Sequence, residues 1–175
     1  NHPANFKGIE IYQSSFDDGG SSVKLEAVPM KAATKPFEIE GVIGGFGNDT
    51  ITGNDAANHL VGGAGNDNIS GGLGNDTIEG GLGNDVMAGG TGGIDTASFR
   101  GATTGVNVNL TTGTATGEGT DTLSGFENVT GSFFNDTITG DSLSNVLDGA
   151  EGNDRIIAGG GEDTVSGGIG NDVLD

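Results

Sequence analysis

The chain has 175 residues, 37 of them glycine, with no cysteine, no tryptophan and a formal charge of −19 from 25 acidic and 6 basic residues. The missing cysteine excludes disulfides and thiolate metal sites, and the acidic balance argues against nucleic acid, whose phosphates it would repel. Hydrophobic residues are 32% of the chain, below the ordinary globular share, so composition alone describes a chain that resists folding unaided and whose natural partners are cations.

The first 38 residues hold all three prolines (Pro3, Pro29, Pro36) and four of the six basic residues (Lys7, Lys24, Lys31, Lys35). They read as a β-rich leader, either a diverged copy of a segment met further on or a small separate domain or linker. From Gly44 a nine-residue beat takes over, restarting at Gly53, Gly62, Gly71, Gly80 and Gly89, and a first array is placed over residues 39–98. In "GGTGGIDTASF" an extra residue delays Asp95 by one place, which is where this array would end. A Thr-rich β insert follows over 99–125, with "VNVNL" (Val106 to Leu110) alternating like a half-buried strand. Nonapeptides return at Gly131 and run from Gly140, Gly149, Ala158 and Gly167, giving a second array over 126–175. A longer repeat lies above the short one: "IEGVIGGFGNDTITG" from Ile39 aligns without a gap on "FENVTGSFFNDTITG" from Phe126, 87 residues later. Further upstream, "VKL" at Val23 corresponds more loosely to "VNL" at Val108. No apolar run approaches the length of a membrane span, the first residues do not have the form of a signal peptide, and no membrane insertion is expected.

The beat is Gly-Gly-x-Gly-x-Asp-x-apolar-x. Its glycines allow tight, left-handed turns with inward carbonyls, and the aspartate at position six adds a hard anionic oxygen. Calcium takes about six to eight such oxygens and tolerates irregular geometry. Positions seven to nine, such as "TIT" and "NIS", make a short strand with one inward apolar residue. Those residues are Ile51, Leu60, Ile69, Ile78 and Met87, then Ile138, Leu147, Ile156, Val165 and Leu174. Two nonapeptides close one coil with two flat sides, so turns eighteen residues apart face one another across the strand spacing of ~4.8 Å. A linker of low complexity would have no use for the recurrent inward residue.

On these residues the sequence resembles the RTX, or haemolysin-type, calcium-binding repeat family, whose arrays fold as parallel β-rolls. Eleven nonapeptides carry the resemblance over rather more than half of the chain. The implied fold is all-β, a parallel β-roll solenoid of two short arrays separated by a β-rich insert. The implied cofactor is calcium, with one ion held by positions two, four and six of one repeat and positions one, three and six of the repeat after next. Carried over, Gly45, Gly47 and Asp49 would share an ion with Gly62, Ala64 and Asp67, and Gly63, Gly65 and Asp67 with Gly80, Leu82 and Asp85. On the other side Gly72, Gly74 and Asp76 would pair with Gly89, Thr91 and, less securely, Asp95. In the second array Ser132, Phe134 and Asp136 would meet Gly149, Glu151 and Asp154, and Ala150, Gly152 and Asp154 would meet Gly167, Ile169 and Asp172. Asn58 and Asn145 put a neutral oxygen at position six, so sites pairing Asn58 with Asp76 or Asn145 with Asp163 are expected to be weak or empty. Roughly five to seven ions are expected; seven would carry +14 and bring the formal −19 to −5.

Nothing points to catalysis in this chain. His2 lies at the start, and His59 sits at an outward position of a degenerate repeat, where a surface residue is the plainer reading. No Ser-His-Asp set has supporting spacing. Glu40 and Glu127 recur in the two aligned halves and read as structural residues at the array entrances. The "NDT" triplets belong to the turn and are not read as glycosylation sites. The resemblance implies a secreted, extracellular or cell-surface module of a larger bacterial protein, exported by type I secretion and folded by calcium outside the cell. Alternatives are a self-assembling layer, filament or adhesin segment, with homo-oligomers formed through solenoid ends, and an appendage of a secreted protease, lipase, epimerase or peroxidase.

Overall fold

A computed structural model describes residues 39–175 and the short strands Ala4–Phe6, Ile9–Ile11 and Ser22–Lys24, with side chains described from residue 44. The expectations placed on the rest of residues 1–38 lie outside the described residues. Among the described residues there is no helix, hence none able to cross a membrane. Two sheets carry the molecule beyond the small antiparallel pair Ala4–Phe6 and Ile9–Ile11.

The nine-residue period places successive strands in alternate sheets, so neighbours within a sheet are mostly eighteen residues apart. The first sheet is parallel throughout, in spatial order Ile39–Phe46, Asn58–Ala64, Thr77–Leu82, Thr96–Ser98, Asn128–Thr130, Val146–Asp148 and Thr164–Ser166. The second runs Ser22–Lys24, Thr50–Thr52, Asn68–Gly72, Val86–Gly90, Thr120–Ser124, Thr114–Thr116, Asn107–Asn109, Thr137–Thr139, Arg155–Ile157 and Val173–Leu174. Register follows the repeat: Ile51 stands beside Ile69 and Ile69 beside Met87, while Leu60 stands beside Ile78.

That register stacks the position-eight side chains into one core. Ile51, Leu60, Ile69, Ile78, Met87, Ile138, Leu147 and Ile156 are at most 1% exposed, each burial contributing roughly 1.5–3 kcal/mol against exposure. Val165 packs partly buried against the core, and Leu174 in the final strand is half exposed. The alternating residues face outward, as the pleat requires.

The two arrays, separate in sequence, form one stack. Thr96–Ser98 pairs in parallel with Thr77 and Ile78 on one side and with Asn128–Thr130 on the other, so the first sheet passes the insert with no gap. The extra residue before Asp95 is taken up in the turn at Gly92 and Gly93, both at positive φ, and the array does not end there. The insert lies in the second sheet, where three strands stand between Val86–Gly90 and Thr137–Thr139, while in the first sheet Thr96–Ser98 alone stands between Thr77–Leu82 and Asn128–Thr130. Asn107–Asn109 runs parallel to Thr137–Thr139, Thr114–Thr116 returns antiparallel, and Thr120–Ser124 runs parallel to Val86–Gly90. Phe99, Ala102, Val106, Val108, Ala115 and Leu123 join the same core. At the start of the chain, Ser22–Lys24 sets Val23 beside Ile51 as Asn107–Asn109 sets Val108 beside Ile138.

Candidate metal centre

The turns between sheets stack along two edges of the solenoid, and position six builds a ladder on each. On the edge that leads into the second sheet, the amide of Asp49 donates to Asp67 Oδ1 at 2.8 Å, that of Asp67 to Asp85 at 2.8 Å, and that of Asp85 to Asp121 at 3.0 Å. Further along, Val106 donates to Asp136, Asp136 to Asp154 and Asp154 to Asp172, at 2.8, 2.8 and 3.0 Å. On the opposite edge Asn58 donates to Asp76, Asp76 to Asp95, Asp95 to Glu127 Oε2, and Asn145 to Asp163. A second, outer ladder runs through position five in the reverse sense: the amides of Asn66, Asn84 and Thr120 donate to the Oδ1 of Asn48, Asn66 and Asn84. This is why asparagine precedes the aspartate in so many repeats, a role the sequence reading did not assign.

One carboxylate oxygen is thus used by the neighbouring rung, and the other turns inward. Oδ2 of Asp67, Asp76, Asp85 and Asp154 is buried with no hydrogen-bond partner. It points at the first glycine of its own turn: a Cβ built on Gly62, Gly71, Gly80 or Gly149 would collide with it. Backbone oxygens point from each turn to the next, those of the first glycine beside the Oδ2 of the turn before. The carbonyls of Gly45 and Gly47 stand against Gly63 and Gly65, while the carbonyl of Gly62 stands against Gly44. The same arrangement recurs from Gly63 and Gly65 to Gly81 and Gly83, with Gly80 over Gly62. On the other edge Gly72 and Gly74 face Gly90 and Gly93, with Gly89 over Gly71. In the second array the carbonyls of Phe134, Ala150 and Gly152 face Gly152, Gly168 and Gly170, with Gly149 over Gly131 and Gly167 over Gly149. The position-three carbonyls of Ala64, Leu82 and Ile169 each accept an amide from the facing turn, those of Gly47, Gly65 and Gly152. Thr91, expected to supply the position-three carbonyl, only donates its amide to Gly72; the extra residue moves that role to Gly92, whose carbonyl accepts the amide of Gly74 at 3.1 Å, while Glu151 bridges in parallel to Ile169.

The structure sets the expected turns facing one another, with Ser132 bonded to Asp136 and Gly92 standing where Thr91 was expected, and the oxygens there are hard and mostly neutral apart from the carboxylates. Among the described residues no three His, Cys, Asp or Glu side chains form a cluster able to hold a metal by themselves. Carbonyls must complete any site, and that donor set suits calcium rather than a nitrogen- or sulfur-seeking metal. A buried carboxylate without a donor is costly, whereas a cation among these oxygens satisfies it. The residues fit the ion.

Burial also moves the acids. It pushes Asp85 up to about 6, opposed by the amide of Asp67 and reinforced by the charges of Asp121, Asp67 and Glu118. Asp67, Asp76, Asp95, Asp121 and Asp154 are raised for the same first reason, burial, and each is pulled back by one backbone hydrogen bond.

Three turns are closed by protein instead. Asn58 Oδ1 accepts the amide of Asn54 at 2.7 Å, and Asn145 Oδ1 accepts that of Asp141 at 2.9 Å. Asp136 accepts the amide of Ser132 on Oδ2 at 2.6 Å and its hydroxyl on Oδ1 at 2.7 Å. Two acids outside the expected set join the ladders. Glu127, read from sequence as a structural residue, takes the place of a position-six aspartate beyond Asp95, and Asp121 takes the one beyond Asp85. The signal for Asp121 was present in "TGEGTDTLS", a nonapeptide with threonine for its first glycine, and in its distance of two coils from Asp85. His59 is exposed, 3.8 Å from Glu79.

Comparison with family models gives one match, the RTX calcium-binding nonapeptide repeat, in four copies over residues 42–69, 61–96, 121–142 and 139–174. No curated protein matches the chain.

Proposed function

The chain belongs to the RTX calcium-binding nonapeptide repeat family, and on that premise we propose that it is a folding and secretion module of a larger secreted protein, closed by calcium outside the cell. It is a calcium-binding β-roll. The observation that carries the proposal is the set of buried, unpartnered Oδ2 atoms of Asp67, Asp76, Asp85 and Asp154 inside glycine turns lined by carbonyls. Bound calcium supplies positive charge and oxygen coordination at those turns. Gly45, Gly47, Asp49, Gly62, Ala64 and Asp67 would hold one ion, and Gly63, Gly65, Asp67, Gly80, Leu82 and Asp85 the next. Gly72, Gly74, Asp76, Gly89 and Asp95, with Gly92 in place of Thr91, would serve the opposite edge. In the second array Ala150, Gly152, Asp154, Gly167, Ile169 and Asp172 form the corresponding set.

Without a cation these acids are pressed together at the strand spacing, and a chain of −19 is pushed open. Where free calcium is scarce, the chain stays extended and exportable. At roughly millimolar calcium, at or above the dissociation constants of about 0.1–1 mM found for extracellular modules, the coils close. The test is circular dichroism with and without calcium. Strand signal should appear on adding calcium and vanish with chelator, and equal strand content in both states would refute the proposal.

A further inference from the structure

The insert contains an additional turn of the calcium-facing type that the nine-residue beat conceals. From Glu118 to Ser124 each residue takes the place of a repeat position over Leu82–Ala88. The carbonyl of Glu118 accepts the amide of Gly83 at 3.0 Å, as Leu82 accepts that of Gly65 and Ala64 that of Gly47. Gly119 lies over the carbonyl of Gly83 so closely that a Cβ there would collide with it, as Gly83 lies over Gly65. The amide of Thr120 donates to Asn84 Oδ1 at 2.8 Å, continuing the outer ladder. Asp121, buried, accepts the amide of Asp85 at 3.0 Å, and Leu123 pairs with Met87 in the core. Beneath this rung Asp85 is 1% exposed and its Oδ2 has no partner.

We infer that Asp85 and Asp121, with the carbonyls of Gly83 and Glu118, hold a calcium ion that fastens the insert to the first array. The inference rests on the calcium reading above and extends it to a site 36 residues across instead of eighteen. The site is less complete than its neighbours. No carbonyl of the next rung stands over Gly80 as that of Gly80 stands over Gly62, because Thr116 belongs to the antiparallel strand Thr114–Thr116. Water would fill that place, and the site would be among the weakest of its edge. Occupying it also fixes the loop that follows Phe99, since Glu118 Oε1 accepts both the amide and the hydroxyl of Thr103, at 2.9 and 3.1 Å.

The experiment counts calcium per chain by equilibrium dialysis at saturating calcium for the 175-residue protein, Asp121→Asn and Asp67→Asn. Asparagine keeps the oxygen that receives the Asp85 amide, as Asn58 and Asn145 keep theirs, so the fold should survive. Asp121→Asn should bind one ion fewer than the parent, with amides 116–124 losing their calcium-dependent protection from hydrogen exchange. An unchanged count in Asp121→Asn alongside a reduced count in Asp67→Asn would overturn this inference and leave the calcium reading standing. No calcium bound to the parent would overturn both. Should Asp121→Asn fail to fold, anomalous diffraction from the calcium-loaded parent decides: a peak between Asp85 and Asp121 supports the site, and its absence while the other turns are filled defeats it.

Discussion

Individual residues in the turns respond to two different strains, one of backbone and one of charge. Ala150 is the one non-glycine residue at positive φ (73°) among the described residues, and it occupies a position where most repeats place glycine. The left-handed conformation costs an L-residue roughly 1–2 kcal/mol, part of which glycine returns through its own larger chain entropy. Ala150→Gly should therefore raise stability by about 0.5–1 kcal/mol, read as a higher midpoint in thermal unfolding with calcium present; a lower midpoint would contradict it. Charge strain is read through pH. The Asp85 carboxyl sits near 6 in the folded chain against 3.8 for the free group, raised chiefly by burial. A carboxyl raised by folding stabilises the fold fully below the unfolded value and loses that contribution as pH climbs through the folded one. The other raised aspartates act in the same direction. Stripped of calcium on a chelating resin, the chain should gain strand signal as the pH is lowered from about 7 to about 4. Calcium itself should bind more weakly at the lower pH, because protons compete for the same oxygens. A metal-free chain with less strand at the lower pH would reverse the sign and refute the account of these turns.

Each turn, taken as an element, either gives the position-six oxygen a donor from its own position two or leaves it without one, and the residues at positions two and six together decide which. Asn58 is closed from within by the amide of Asn54 and still passes its own amide to Asp76. Asn58→Asp would add a second anionic oxygen to a turn whose neighbour, Asp76, already carries an unpartnered one. The expected result is one more calcium ion, or a clearly tighter one, seen in titration calorimetry, together with a less stable metal-free chain. An unchanged isotherm would mean that position six does not select the closure. Most of this was legible in the sequence. A strict beat of nine with one apolar residue fixes strand, coil and core, since only one register stacks Ile51, Ile69 and Met87. The facing partners followed from the eighteen-residue coil. What was hidden lay where the beat fails although the geometry does not. An extra residue before Asp95 is absorbed by two glycines at positive φ, which no count of nine would show. Glu127 reaches the ladder with a longer side chain from a shortened turn, and the repeat at Thr116 follows an excursion of two strands. Ser132 is the opposite case, a residue that fits the ligand pattern while its amide and hydroxyl bond to Asp136.

At the scale of the whole molecule the question is whether calcium acts as a specific ligand or merely as counter-charge. Self-repulsion in a chain of −19 would be relieved by either. The two differ in what happens at the buried oxygens of Asp67, Asp76, Asp85 and Asp154, which mobile ions at the surface cannot reach. About 1 M sodium chloride shortens the screening length to roughly 3 Å and so removes most repulsion between exposed acids. It leaves the desolvated carboxylates without partners. An unfolded chain of this length has a radius of gyration of about 44 Å and a compact one about 16 Å, with a stacked solenoid a little larger. Small-angle scattering should therefore give a value near the unfolded one in chelator, still well above 30 Å in chelator with about 1 M salt. It should fall to about 20 Å or less in a few millimolar calcium at low salt. Contraction by salt alone would mean that repulsion was the only barrier, and that the glycine turns need no ion within them.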